Sequence, residues 1–193
     1  MAITFANAQD NSAKDFGFSK GDVLVEGNLG FNSSNNNNSD TKSNSFTFTP
    51  KAGYFLSDKI AVGAQLGFGS SKTEVAGVDT AKSSGFSAGV FGRYYFLDLG
   101  QRFKTYADAG VNFGNSKDDL TNAKSNSVGV GAGLGINYFV TKRVVLNFAL
   151  RNILSYSTSK ADGAKSVSSF GFDLNSNIAN PFNTGSFGVG YIF

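Results

Sequence analysis

Val128-Gly-Val-Gly-Ala-Gly-Leu-Gly-Ile-Asn-Tyr138 alternates without a break. Apolar side chains hold positions 128, 130, 132, 134, 136 and 138, and glycine or asparagine holds the positions between. Period two belongs to a β-strand, whose successive side chains point to opposite faces. A helix would mix the two sets and carry interior glycines at about 1 kcal/mol each. The glycines superficially suggest a phosphate-binding loop, but the G-x-G-x-x-G spacing and the following helix are both missing. The stretch therefore reads as a strand with one apolar face and one face of glycine.

Working outward, segments of the same kind lie near 22–31, 45–55, 60–69, 85–96, 103–113, 144–156 and 185–193; with 127–138 they make eight. Short separators (56–59, 97–102 and 140–143) take turns with longer ones rich in Asn, Ser, Lys and Asp at 32–44, 70–84, 114–126 and 157–184. Tight and long connections in alternation mark an outer-membrane barrel. The expected fold is all-β: an eight-stranded antiparallel up-and-down transmembrane β-barrel. Pro50 cannot donate a ladder hydrogen bond and is expected to mark a bulge near the rim. Phe170-Gly-Phe-Asp-Leu174 also alternates and reads as a strand extension above the membrane.

Alternation alone does not say which face is the core. A soluble barrel of lipocalin type keeps its apolar face inside. Here the apolar face is banded. Phe31, Phe46, Phe68, Phe86 and Phe113 lie at one end, and Tyr54, Tyr94, Phe96, Phe103, Tyr138, Tyr191 and Phe193 at the other. Val, Leu, Ala and Ile fill the middle. Two aromatic girdles around an aliphatic band belong to a wall that faces lipid. The opposite face carries too few charges for a solvated exterior, and its glycines give room inside a narrow barrel. No stretch approaches the ~20 apolar residues of a spanning helix, which leaves a closed barrel as the way to satisfy backbone groups in lipid.

Cysteine and histidine are both absent. That removes disulfides and Cys-based metal sites, and with them the usual base near neutral pH. The net charge of +3 is scattered over the chain, so there is no nucleic-acid footprint. No catalytic residue, metal or cofactor is expected, and Asp118-Asp-Leu-Thr-Asn122 reads as a solvated loop rather than a cation site. The inward charges Glu26, Lys51, Arg93, Lys104, Asp108 and Arg151 read as a lumen network. Eight strands enclose just enough room for side chains, and buried charges need partners. Glu26 and Lys51 are expected side by side. Pairing Phe96 with Phe103 would set Arg93 near Tyr106, a diagonal step from Asp108, and Lys104 beside Tyr95. Arg151 is expected to reach into the space above the glycines of 129–135.

The two ends of the chain complete the reading. Ala6-Asn-Ala8 ends an apolar run in an A-x-A-like cleavage site. Residues 1–8 are thus expected to be the remnant of a signal peptide, 9–21 an N-terminal periplasmic segment, and 22–193 a single barrel domain. The last strand, Gly185-Ser-Phe-Gly-Val-Gly-Tyr-Ile-Phe193, is apolar or aromatic at 187, 189, 191 and 193. It resembles the C-terminal assembly signal of outer-membrane proteins. Residues 20–193 are similar to the outer-membrane β-barrel domain family, in the manner of small OmpA-, OmpX- and OmpW-like barrels. The resemblance implies a Gram-negative outer membrane, termini in the periplasm and long loops outside. It implies as partners the outer-membrane lipid and the barrel-assembly machinery, which would read Phe187, Val189, Tyr191 and Phe193. It does not fix an activity, because one scaffold carries many. Three roles stand as expectations. One is a non-enzymatic structural or surface-binding barrel with a filled lumen. The others are a narrow pore or OmpW-like transporter for small solutes, and an accessory subunit bound to an envelope protein partner.

Overall fold

The computed structural model describes residues 16–173 and 185–193, apart from the Arg151 side chain. The expected leader, 1–8, and the end of the 157–184 separator lie outside the described residues. The described residues form nine strands: β1 (Val23–Asn36), β2 (Thr41–Ser57), β3 (Ile60–Val75), β4 (Val78–Leu99), β5 (Phe103–Asp118), β6 (Lys124–Phe139), β7 (Val144–Ala161), β8 (Val167–Phe172) and β9 (Gly185–Ile192). Sequence neighbours pair antiparallel from β1 to β7, and β9 pairs with both β7 and β1. Eight strands therefore close a ring. Another strand, β8, lies beside that ring and, among the described residues, pairs with the far half of β7, from Leu154↔Phe172 to Ser159↔Val167. It contains most of the alternating 170–174 segment.

Period two settles inside from outside. Val25, Leu66, Val90, Val130, Leu146 and Val189 are exposed, whereas Phe55, Tyr95, Tyr106, Phe139 and Val145 are buried among inward side chains. The apolar faces form the outer wall, with aromatic contacts along both rims: Phe48–Phe68 and Phe68–Phe86 at one, Phe103–Tyr138 and Tyr191–Phe193 at the other. An exterior this apolar suits lipid.

Three of the long separators are not loops. Residues 32–44, 70–84 and 114–126 continue their strands as ladders out to tight turns at 37–40, 76–77 and 119–123. Polar rungs join them. Ser33 Oγ donates to Asn44 Oδ1 (2.8 Å), Ser71 and Ser83 share a hydrogen bond (2.8 Å), and Asn115 Nδ2 donates to Asn126 Oδ1 (2.9 Å). Ala76 (φ 51°) and Gly77 (φ 78°) make the two-residue turn whose twist matches flanking strands. Strands wetted on both faces lose their apolar alternation, which is why these hairpins looked like loops.

Local irregularities shift the register. Phe96 is an extra residue between the rungs Tyr95↔Tyr106 and Leu97↔Thr105, and the strands run on to a three-residue turn at 100–102, where Leu99 rather than Phe96 faces Phe103. In β7, residues 151–153 oppose Gly133 alone, between Ala132↔Leu154 and Leu134↔Leu150, and Asn152 takes a positive φ of 58° there. Pro50 makes no bulge. It sits on the outer face opposite Gly27, and the β2–β3 register is unchanged from Phe48↔Phe68 to Lys51↔Gln65. The chain before β1 turns back into the barrel: Gly21 N–H donates to Phe55 O (2.9 Å) and Phe55 N–H to Asp22 O (2.9 Å).

Candidate functional site

The lumen is built in three layers, taken here from the end with turns 58–59, 100–102 and 140–143. The first is an aromatic floor. Phe18 is 4% exposed and stacks on Phe55 (4.3 Å), with Tyr95 at 4.7 Å and Phe139 at 5.1 Å. Leu24, Ala61, Val145, Ala149 and Ile192 complete the cluster. Arg102 lies over the ring of Phe16 (4.2 Å) and donates to the carbonyls of Phe139 and Val140, closing the rim. Phe16 and Phe18 belong to the segment expected merely to precede the barrel. The aromatic pair around Gly17 was the available signal, and it has no strand period to give it a face.

Above the floor lies a charged layer. Arg93 Nη1 pairs with Glu26 Oε2 at 2.9 Å, three strands away, and Nη2 meets Asp108 Oδ2 at 3.5 Å. Lys51 Nζ stands 3.7 Å from the same Asp108 oxygen. Asn137 Nδ2 donates to Glu26 Oε1 (3.4 Å), and Tyr95 O–H donates to Asn137 Oδ1 (2.9 Å). The Arg93 guanidinium also covers Tyr106 at 3.9 Å, and Asn147 Nδ2 donates to the Tyr106 hydroxyl at 2.6 Å. Two carboxylates thus face two cations, and a neutral layer results. Arg93 Nε and Asn28 Oδ1 are buried without a hydrogen-bond partner among the described residues.

The glycine face makes this packing feasible. A Cβ on Gly135 would fall 2.3 Å from Tyr106 Cζ, and one on Gly63 would fall 2.8 Å from Phe91 Cζ. Each ring therefore lies flat over bare backbone, as glycines in barrels allow.

Beyond the charges the lumen widens. A cavity of 240 Å³ lies between Thr49, Lys51, Gln65, Asp108, Asn112 and Asn152. A second, of 430 Å³, is walled by Ser45, Thr47, Ser71, Ser83, Ser87, Ser116, Ser127 and intervening glycines, with Phe46, Phe68 and Phe86 also in its lining. The lumen is filled in one half and is a hydroxyl-lined cup in the other.

The expected site residues fall as follows. Glu26 and Lys51 are cross-strand neighbours, but the ion partner of Glu26 is Arg93. Arg93 lies directly opposite Asp108, not a diagonal step away, because the turn at 100–102 is three residues shorter than expected and the Phe96 bulge takes one step back, a net shift of two. Lys104 is opposite Asp98 and pairs with it at 2.7 Å, at the rim rather than beside Tyr95. The Arg151 side chain lies outside the described residues; its backbone is in the β7 bulge. Phe187, Val189, Tyr191 and Phe193 line the outer face of β9, with Phe187 against Phe148 (4.9 Å) and Arg143 Nη1 donating to Tyr191 O–H (3.4 Å). Tyr106, expected near Arg93, lies under its guanidinium, and Tyr95 bonds to Arg93 and Asn137 rather than standing beside Lys104.

Among the described residues no three acidic side chains gather as a metal site. Asp118 Oδ1 accepts the backbone N–H groups of Leu120 and Thr121, both at 2.9 Å. Those bonds hold its carboxyl below the usual range and tie it to the turn.

The family model described as the outer membrane protein beta-barrel domain matches residues 1–193. No curated protein matches the chain. Among solved structures the chain is similar to the outer membrane protein OprG from Pseudomonas aeruginosa. The identity is 15%, with 94% of this chain and 99% of that one covered and a TM-score of 0.55. Neisserial surface protein A is similar at 20% identity, with 91% and 98% covered and a TM-score of 0.48. E. coli outer membrane protein W follows at 18%, with 91% and 99% covered and a TM-score of 0.44. At these identities the likeness to OprG concerns the fold alone.

Proposed function

The chain belongs to the outer membrane protein beta-barrel domain family, and on that premise we propose that it is a non-enzymatic, non-conducting barrel. In this reading it braces the envelope and presents its four hairpins and hydroxyl-lined cup to the outside. One observation carries it: two successive layers cross the lumen, Phe18 with Phe55, Tyr95 and Phe139, then Arg93 with Glu26 and Asn137. A pore would need a continuous wet path, and both layers are buried. The absence of His and Cys supports a role without acid–base or nucleophilic chemistry. The tight turns and both chain ends face the periplasm, as in other outer-membrane barrels. The outer face of β9, ending on Phe193, is what the assembly machinery reads.

Single-channel recording in planar bilayers tests the proposal. The wild-type barrel stays silent, and so does Phe18→Ala, because the charged layer remains. Combining Phe18→Ala with Glu26→Gln weakens both layers and produces brief small-ion openings. Stable openings of the well-folded wild type would sink the proposal.

A further inference from the structure

Six consecutive strands repeat one outward-facing pattern where they leave the apolar band. Moving outward two residues at a time, β2 reads Phe46, Asn44, Lys42 and β3 reads Phe68, Ser70, Lys72. The next two read Phe86, Ser84, Lys82 in β4 and Phe113, Asn115, Lys117 in β5. Then come Val128, Asn126, Lys124 in β6 and Tyr156, Thr158, Lys160 in β7. Each lysine lies four residues beyond the last apolar rung and on the same face. At about 3.3 Å per residue and a tilt near 40°, that is about 10 Å above the band. A lysine at that height can bend its long stem back toward the membrane surface.

The ring is strained by its own charge. Lys72 faces Lys82, and Lys117 faces Lys124, directly across the ladder. Like charges placed so are destabilising. Lys72 is neutralised by Glu74 (2.6 Å) and Asp79 (3.0 Å). Lys82, Lys117, Lys124 and Lys160 have no side-chain ion pair or hydrogen bond to the described residues. Asp118 is engaged in its turn by backbone N–H groups, whereas Asp119 leans onto the lysine face and accepts from Ser84 Oγ of β4. Asp162 stands in the β7–β8 turn, its N–H donating to Lys124 O.

An arc of four lysines on consecutive strands, without side-chain partners among the described residues and continuous with a lipid-facing band, matches one chemistry. We propose that Lys82, Lys117, Lys124 and Lys160 bind the phosphate groups of net-anionic lipid headgroups at the membrane surface, not zwitterionic headgroups whose phosphate carries its own cation. One phosphate between Lys117 and Lys124 turns their repulsion into two charge-assisted contacts. The β1 face, where Phe31, Ser33 and Asn35 carry no lysine, is left out of the arc. The proposal rests on the membrane-barrel reading above, but not on which way the barrel points, since headgroups meet the ring from either leaflet.

The full chain, folded in phosphatidylcholine vesicles, is compared with the same chain in vesicles that also contain lipid A, or lipid A stripped of its phosphates. Lipid A raises the unfolding temperature by several degrees, the stripped lipid does not, and added salt shrinks the rise. The variant with Gln at all four positions folds in phosphatidylcholine and shows no rise. The smaller variant Lys117→Gln/Lys124→Gln shows about half of it, if contacts add. An equal rise in both variants, or none in the wild type, overturns the proposal. An equal rise with inorganic phosphate alone overturns the assignment to lipid. Orientation is read separately, by labelling Asn122→Cys in intact cells with a bulky maleimide; the chain has no cysteine of its own.

Discussion

Arg93 is held from three directions, and its surroundings explain both the order of the lumen and where reading the sequence fell short. Its guanidinium reaches Glu26 and Asp108 and lies on Tyr106. A cation so placed has lost its water, so its partners decide whether the layer holds. Removing Glu26 leaves Asp108, at 3.5 Å, as the remaining counter-charge. Glu26→Gln therefore destabilises the barrel by about 3 kcal/mol, the low end for breaking a buried pair. Glu26→Gln with Arg93→Leu recovers most of that loss, because no lone charge is left behind. Urea unfolding from vesicles measures both, and a single variant within error of wild type would contradict the account. Glu26, Lys51, Arg93 and Asp108 meet on one inward face, which parity alone makes legible. Their partners are not: β4 and β5 run on to a three-residue turn at 100–102, which shifts the register by three from the expected Phe96–Phe103 pair and sets Lys104 opposite Asp98, and the extra residue Phe96 takes one step back, which sets Arg93 opposite Asp108. Phe18 was missed for another reason, since its face is set by the fold-back at Gly21 rather than by a period.

The strands themselves follow two rules on one backbone. Inside the apolar band an alternating face identifies them, as Val128–Tyr138 does. Beyond it they run on as ladders bonded by Ser, Thr and Asn, where both faces meet water and no alternation is needed. Strand existence was therefore legible in the band, whereas the length of β1–β7 was not. β4 runs for 22 residues, against the twelve or so that alternation marks. β9 is short and closes the ring at its very end, where Phe193 N–H donates to Val23 O (2.9 Å) and its ring meets Tyr191 (4.7 Å). Deleting Phe193 should lower the level of barrel in the outer membrane several-fold while leaving refolding in detergent largely intact. Normal membrane levels of the deleted chain would argue against its part in assembly.

At the scale of the molecule, one decision organises everything else: the apolar face of every strand points out. It turns glycines into room for inward rings, buries Glu26, Lys51 and Arg93 in a shared layer, and leaves the lysine ring above the band. The opposite choice would make a soluble barrel with charges on its surface. The chain contains no tryptophan, so a single introduced one reports its own surroundings. Tryptophan is placed in turn at Val130 and Leu146 on the outer wall, and at Phe91 and Tyr95 in the lumen, and its fluorescence is read in vesicles of brominated lipid. Strong quenching at Val130→Trp and Leu146→Trp, with little at Phe91→Trp and Tyr95→Trp, is the predicted result. The reverse pattern, or equal quenching at all four, would contradict it.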